Sequence, residues 1–185
     1  MTIILLSSIL LHITFLDIII KFIVGILTSL VFILVVLRIL KPRIKISNSI
    51  CHKEDKEGNK FYFFKIVNKS IYDAYSVEFE LHRKTPYIVD KTKVNHNIDK
   101  IELSKCSTYS IPRSKKKTGY GEHAVLIRTY EDLSKDINTE NLEYVLFVSS
   151  KHGLSNLTSV TTMSFENSEI FHEGNFKFGT NIGTC

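Results

Sequence analysis

Residues 3–37 run almost without interruption through apolar side chains, and only His12, Asp17 and Lys21 among them can ionise. No water-exposed element tolerates such a run, so a membrane is the environment it implies. A helix rises 1.5 Å per residue, and about 20 residues cross the hydrocarbon core. Residues 22–40 meet that length alone and are the strongest span. Pro42 then stops the helix. The preceding stretch, residues 3–16, is shorter than a usual span. One helix over the whole run would be about 55 Å long, against a core of about 30 Å, so a break is expected. Asp17 and Lys21 lie four apart and could pair at a tight turn or a helix end. A helical hairpin turning near Asp17 is the first arrangement; an N-terminal helix lying in the interface is the second. A cleaved leader fits poorly. It lacks a basic start, and no small-x-small site precedes the polar region.

Charge locates the rest of the chain. The net charge of +5 belongs entirely to the residues after position 37, because Asp17 and Lys21 cancel. Arg38, Lys41, Arg43 and Lys45 crowd the C-terminal flank of the span, and Lys/Arg-rich flanks stay on the cytoplasmic side. The expectation is an integral protein of the cell inner membrane, with residues 1–42 as anchor and residues 43–185 as a cytoplasmic domain. Those four cations are also candidate contacts for anionic lipid head groups, each worth about 1 kcal/mol near such a leaflet. Cys51, Cys106 and Cys185 are few, odd in number and widely spaced, as reduced thiols are. Two glycosylation triplets, at Asn68 and Asn156, carry no meaning on that side. The abundance of Lys, Ile and Asn is compatible with a bacterial chain of low GC content.

Past Pro42 the period changes. Arg43-Ile44-Lys45-Ile46-Ser47 alternates as a half-buried strand does, and Val77, Phe79 and Leu81 alternate with Glu78, Glu80 and His82. Residues 61–68 are rich in aromatic and β-branched side chains. Shorter strands fit residues 98–103 and 107–111. Residues 124–130 and 142–149 are more continuously apolar and read as central strands. Residues 158–165 and 176–178 complete about nine strands, with one helical turn expected within residues 130–141. No amphipathic helix of normal length separates them, which predicts an antiparallel sandwich or small barrel.

The residues that follow carry a resemblance. Phe64-Lys65-Ile66-Val67-Asn68-Lys69-Ser70, followed by Val77-Glu78-Phe79-Glu80-Leu81, resembles the opening strands of the cytoplasmic domain of inward-rectifier potassium channels. Leu142-Glu143-Tyr144-Val145-Leu146-Phe147-Val148, Gly153-Leu154-Ser155, residues 158–165 and Gly174-Asn175-Phe176-Lys177-Phe178 are similar, in order, to that domain's closing strands. About half of the polar domain is covered. The resemblance implies an immunoglobulin-like fold for the sandwich. It does not extend to conduction: nothing between Leu16 and Phe22 could build a pore helix, and no Thr-Val-Gly-Tyr-Gly-like filter occurs.

Candidate chemistry is sparse. Arg113-Ser114-Lys115-Lys116-Lys117 places four cations in five residues beside Gly119 and Gly121. Arg113, Lys115, Lys116 and Lys117 form a candidate anion-binding loop, although a solvated hairpin loop gives the same pattern. The glycine spacing is not a P-loop. The histidines show no metal-ligand spacing, and no nucleophile elbow occurs, so neither cofactor nor metal nor enzymatic activity is expected. The aromatic residues have strand spacing and read as core rather than as a stacking platform, so nucleic acid is not an expected partner. The expected partners are membrane lipids, a second copy of the chain, or another membrane protein. The function that fits is a membrane-anchored, non-enzymatic interaction module, a sensor or regulatory subunit. The alternative is a ligand-gated effector in which the sandwich binds a small anionic messenger and the helices perturb the bilayer.

Overall fold

A computed structural model describes residues 2–90, 93–114, 121–134, 142–153, 155–166 and 170–184, with side chains described from residue 15 onward. The chain separates into two units, Met1–Leu40 and Lys41–Cys185.

The first unit is one unbroken helix, α1 (Thr2–Leu40). At 1.5 Å per residue its length is roughly 60 Å, about twice the hydrocarbon core. The break expected near Asp17 is absent, so neither the hairpin nor a separate interfacial helix forms. Two features explain the continuity. No Gly or Pro falls between Asp17 and Lys21, and residues four apart stack one helical turn above each other. Lys21 accordingly donates to Asp17 Oδ2 at 2.6 Å along the helix, which a reversal would prevent. The segment Phe15–Leu40 is long and apolar enough to cross a membrane, and none of the side chains in its most apolar stretch is buried. Thr28 Oγ1 donates to the Val24 carbonyl at 2.8 Å. Its hydroxyl is thus satisfied within its own helix.

The second unit is a two-sheet β-sandwich. One sheet contains β1 (Ile44–Ile46), β2 (Ile50–Glu54), β3 (Lys60–Asn68), β7 (Ala124–Thr129) and β10 (Phe171–Glu173). β3 pairs antiparallel with β1 and β2 along one side and with β7 along the other. β10 adds to β2 in parallel. The second sheet contains β4 (Ala74–Asp90), β5 (Lys93–Ile101), β6 (Ser107–Ile111), β8 (Glu143–His152) and β9 (Thr158–Phe165), in the order β5-β4-β8-β9, with β6 also on β4.

Alternation builds the core. Ile44, Ile46, Tyr62, Phe64, Ile66 and Ile127 point inward from the first sheet. Val77, Phe79, Leu81, Leu146, Val148 and Phe165 meet them from the second. The Phe64 and Phe165 rings lie 5.5 Å apart. Tyr62 brings a polar hydroxyl inside, and a buried hydroxyl needs a partner. It donates to an Asp132 carboxylate oxygen at 2.8 Å.

β3 is buried on both faces. The segment 174–184 covers the outer one: Phe176 meets Phe63 edge-on at 5.6 Å, and the buried Lys65 ammonium donates to the carbonyls of Lys177 (2.5 Å) and Asn181 (2.6 Å). The strand expected at 176–178 is therefore a packed loop, with Phe176 in a single bridge to Thr184. Residues 124–130 also differ from expectation, because β7 pairs only with β3 among the described residues and so forms an edge. β8 is central, as its continuous apolar run predicts.

Candidate functional site

The feature that departs most from regular geometry lies where β4 enters its sheet. Ala74 and Tyr75 pair with His152 and Lys151 on β8, but the register shifts before Glu78 meets Ser149. Pairing with β6 on the other side stays in step. The extra residue on the β8 side is Ser76, held at φ 45°. That is a left-handed conformation which non-glycine residues seldom adopt. In the β8–β9 connection Asn156 is at φ 54°. The two left-handed residues line the same open groove of about 830 Å³. Asn adopts this conformation readily in turns, so the strain is at Ser76, whose positive φ within a bulge is the kind of local feature that collects at binding sites.

The groove is built by close local contacts. A Cβ at Gly153 would come within 2.8 Å of the Tyr75 ring, so a larger residue there would have to displace that ring. Tyr75 meets Tyr109 edge-on at 6.0 Å, and Tyr72 meets the His152 ring at 5.0 Å. His152 is buried, and its Nδ1 accepts the Ser155 backbone N–H at 3.1 Å. A neutral ring therefore carries its proton on Nε2. Beneath the groove Asn68, fully buried, donates through Nδ2 to the carbonyls of Tyr72 and Ile111, both at 2.9 Å, and accepts from the Ser70 N–H at 2.8 Å. One amide side chain thus joins the end of β3 to the floor.

Arg113 and Lys151 bring positive charge to the groove, and Asp73 and Glu122 bring negative charge. The Arg113 backbone N–H donates to an Asp73 carboxylate oxygen at 2.8 Å. Among the described residues its exposed guanidinium touches only the Ile71 carbonyl, at 3.5 Å. That distance is at the outer limit for a hydrogen bond. Lys115, Lys116 and Lys117, the other members of the candidate anion loop, lie outside the described residues. Among those described, Arg113 alone ties that loop to the groove.

The second candidate cluster is placed differently. Arg38 is exposed in the last turn of α1, and Lys41 is exposed after it. Arg43 and Lys45 are exposed on one face of the strand whose Ile44 and Ile46 are buried. No group of three or more His, Cys, Asp or Glu able to hold a metal occurs among the described residues. His123 is buried, and its Nε2 lacks a hydrogen-bond partner among the described residues. Burial first, then Lys65 and Lys69, holds its pKa below the usual histidine value.

Sequence reasoning singles out Arg113 but misses Tyr72, Tyr75, Tyr109, Lys151 and Asn156. Nothing in their local pattern marks them, since they converge only through the bulge and the β8–β9 turn. The Gly153 position is visible as a turn, not as the seat of a ring.

No protein family and no curated protein matches the chain. Among solved structures it is similar to Northeast Structural Genomics Consortium target SoR45, at 8% identity over 74% of this chain and 94% of that one, with a TM-score of 0.30. A likeness that low carries no argument.

Proposed function

We propose that the chain is a membrane-anchored, non-enzymatic binding protein, a sensor or regulatory subunit whose β-sandwich receives its ligand in the groove beside Tyr75. One observation carries the reading: two left-handed non-glycine residues, Ser76 and Asn156, line the same groove as three tyrosines, Arg113 and Lys151. Strain and mixed aromatic and charged lining suit recognition of a planar or charged ligand. His152 Nδ1 lies 2.8 Å from Ser155 Oγ, but the same nitrogen accepts the Ser155 backbone N–H, so the pair ties the β8–β9 turn together, and binding suits the groove better than catalysis. α1 supplies the anchor, and Arg38, Lys41, Arg43 and Lys45 set the orientation, with the sandwich in the cytoplasm and those cations against anionic lipid. On this reading the sandwich is immunoglobulin-like.

The test of anchoring is protease treatment of a C-terminally tagged full-length chain. The tag is protected in intact cells and cleaved in opened ones; cleavage in intact cells overturns the orientation. The test of the groove is a titration of the detergent-solubilised full chain with ATP and, separately, inorganic phosphate, following tyrosine fluorescence. The effector alternative is favoured by Arg113 and Lys151 flanking the groove. It predicts that replacing Arg113, Lys115, Lys116 and Lys117 by Ala removes nucleotide binding, and an unchanged titration curve eliminates it.

A further inference from the structure

β4 and β5 run on together past the sandwich as a two-stranded ribbon. From Lys93 to Lys100 every residue of β5 is exposed, and among the described residues β5 pairs only with β4. Its outer edge therefore offers N–H and C=O groups that no further strand pairs among the described residues, a surface that invites another strand; at its middle the His96 N–H donates to Asn95 Oδ1 at 2.8 Å, a local bond that an incoming strand would replace.

The order of side chains along that edge is symmetrical in chemistry. Outward from His96 come Asn95 and Asn97, then Val94 and Ile98, then Lys93 and Asp99. An antiparallel pair of two β5 strands with its twofold axis at His96 sets Asn95 against Asn97 of the second copy and Val94 against Ile98. It also sets Lys93 against Asp99, and each pairing occurs twice. Directly opposed residues share a face. Slipping the register by one residue opposes Val94 to Asn97 and removes both charge pairings.

The neighbouring strand extends the match. Within the ribbon Asp90 pairs with Lys93, Arg83 with Asp99, and Ile88 with Val94. Across two copies the row Asp90, Lys93, then Asp99 and Arg83 of the second copy alternates in sign over four strands. On the opposite face Ile88 (77% exposed), Val94 (58%) and the second copy's Ile98 (58%) form one apolar row. Any other partner would need to supply this pattern; a second copy already has it.

We infer that two copies of this chain associate through their β5 edges, antiparallel and centred on His96, as a twofold-symmetric interface. The inference stands apart from the ligand reading of the groove.

Two charge-reversed full-length chains test it, carrying separate tags and solubilised in detergent. Lys93→Asp alone sets Asp against Asp at both charge positions of its own dimer, and Asp99→Lys alone sets Lys against Lys. Mixed together, the two chains restore both opposite pairs between copies and leave contacts within each copy unchanged. The mixture should associate about tenfold more tightly than either variant alone. A cysteine probe fixes the register in a Cys106→Ser, Cys185→Ser background. His96→Cys should form a disulfide with its own counterpart, because facing Cα atoms of an antiparallel pair lie about 4.5–5.5 Å apart. Val94→Cys alone should not, since its counterpart lies four residues away, about 13 Å. Mixed with Ile98→Cys it should. A monomeric wild-type chain, a mixture no tighter than its components, or a dimer that fails to crosslink at position 96 overturns the inference.

Discussion

Asn68 shows what a single buried side chain does in this fold. Its amide is enclosed and makes hydrogen bonds to the Tyr72 and Ile111 carbonyls and from the Ser70 N–H. Replacing it with Ala leaves the buried Ile111 carbonyl without that donor and frees the Tyr72 carbonyl and Ser70 N–H, so Asn68→Ala should lower stability by about 1–3 kcal/mol. Urea unfolding followed through the strand circular dichroism signal would measure it, and an unchanged midpoint would refute the role. The residue is legible in the sequence as the polar end of an apolar strand. Its partners are not, because Ile111 lies 43 positions away in the chain. The groove is illegible for the same reason. Arg113 declares itself through its basic neighbours, whereas Tyr75 and Tyr109 become a pair only when β6 comes into register on β4.

At the scale of elements, period-two alternation locates the strands well where one face meets the core. Residues 107–111 and 158–165 match β6 and β9 end to end. The reading fails where another constraint prevails. β4 continues to Asp90 through Pro86, although Pro lacks an N–H and usually ends a strand. It is tolerated here in a ribbon that has left the sandwich, opposite His96. β2 and β10 escape notice because each is short and polar, and each depends on a neighbour remote in sequence. The doubly buried β3 has its own test. Lys65→Met keeps the stem but removes the donor to the Lys177 and Asn181 carbonyls. Amide hydrogen exchange over residues 176–184 should then accelerate while β3 itself stays protected. Equal protection in both chains would show that Lys65 does not hold that segment.

For the molecule as a whole, acidity should act first through histidine. His123 and His52 both titrate below the ordinary value, chiefly because burial disfavours the charged ring, with Lys65 and Lys60 adding to it respectively. In the unfolded chain each ring takes its proton near pH 6.5, so below that point the unfolded state binds more protons and stability falls as pH falls. Glu80 is lowered mainly by its hydrogen bond from Lys100. Burial is the largest influence on Glu143 and raises it, but hydrogen bonds from Ser164 and Lys84 and the charges of Lys84 and His96 together lower it. Both matter only nearer pH 4.5 and below. Between pH 6.5 and 5.5 the urea midpoint should therefore drop, and His123→Gln should make the drop shallower; an equally steep drop would exclude His123. The parallel seam between β10 and β2 has a consequence for how the chain is made. About 120 residues separate the two strands, so a ribosome will have released β2 well before Phe171 leaves the exit tunnel. Throughout that interval the β2 border lies open on a tethered nascent chain. Stalled ribosomes that have not yet released residues 171–173 should carry a half-zipped, protease-sensitive sandwich.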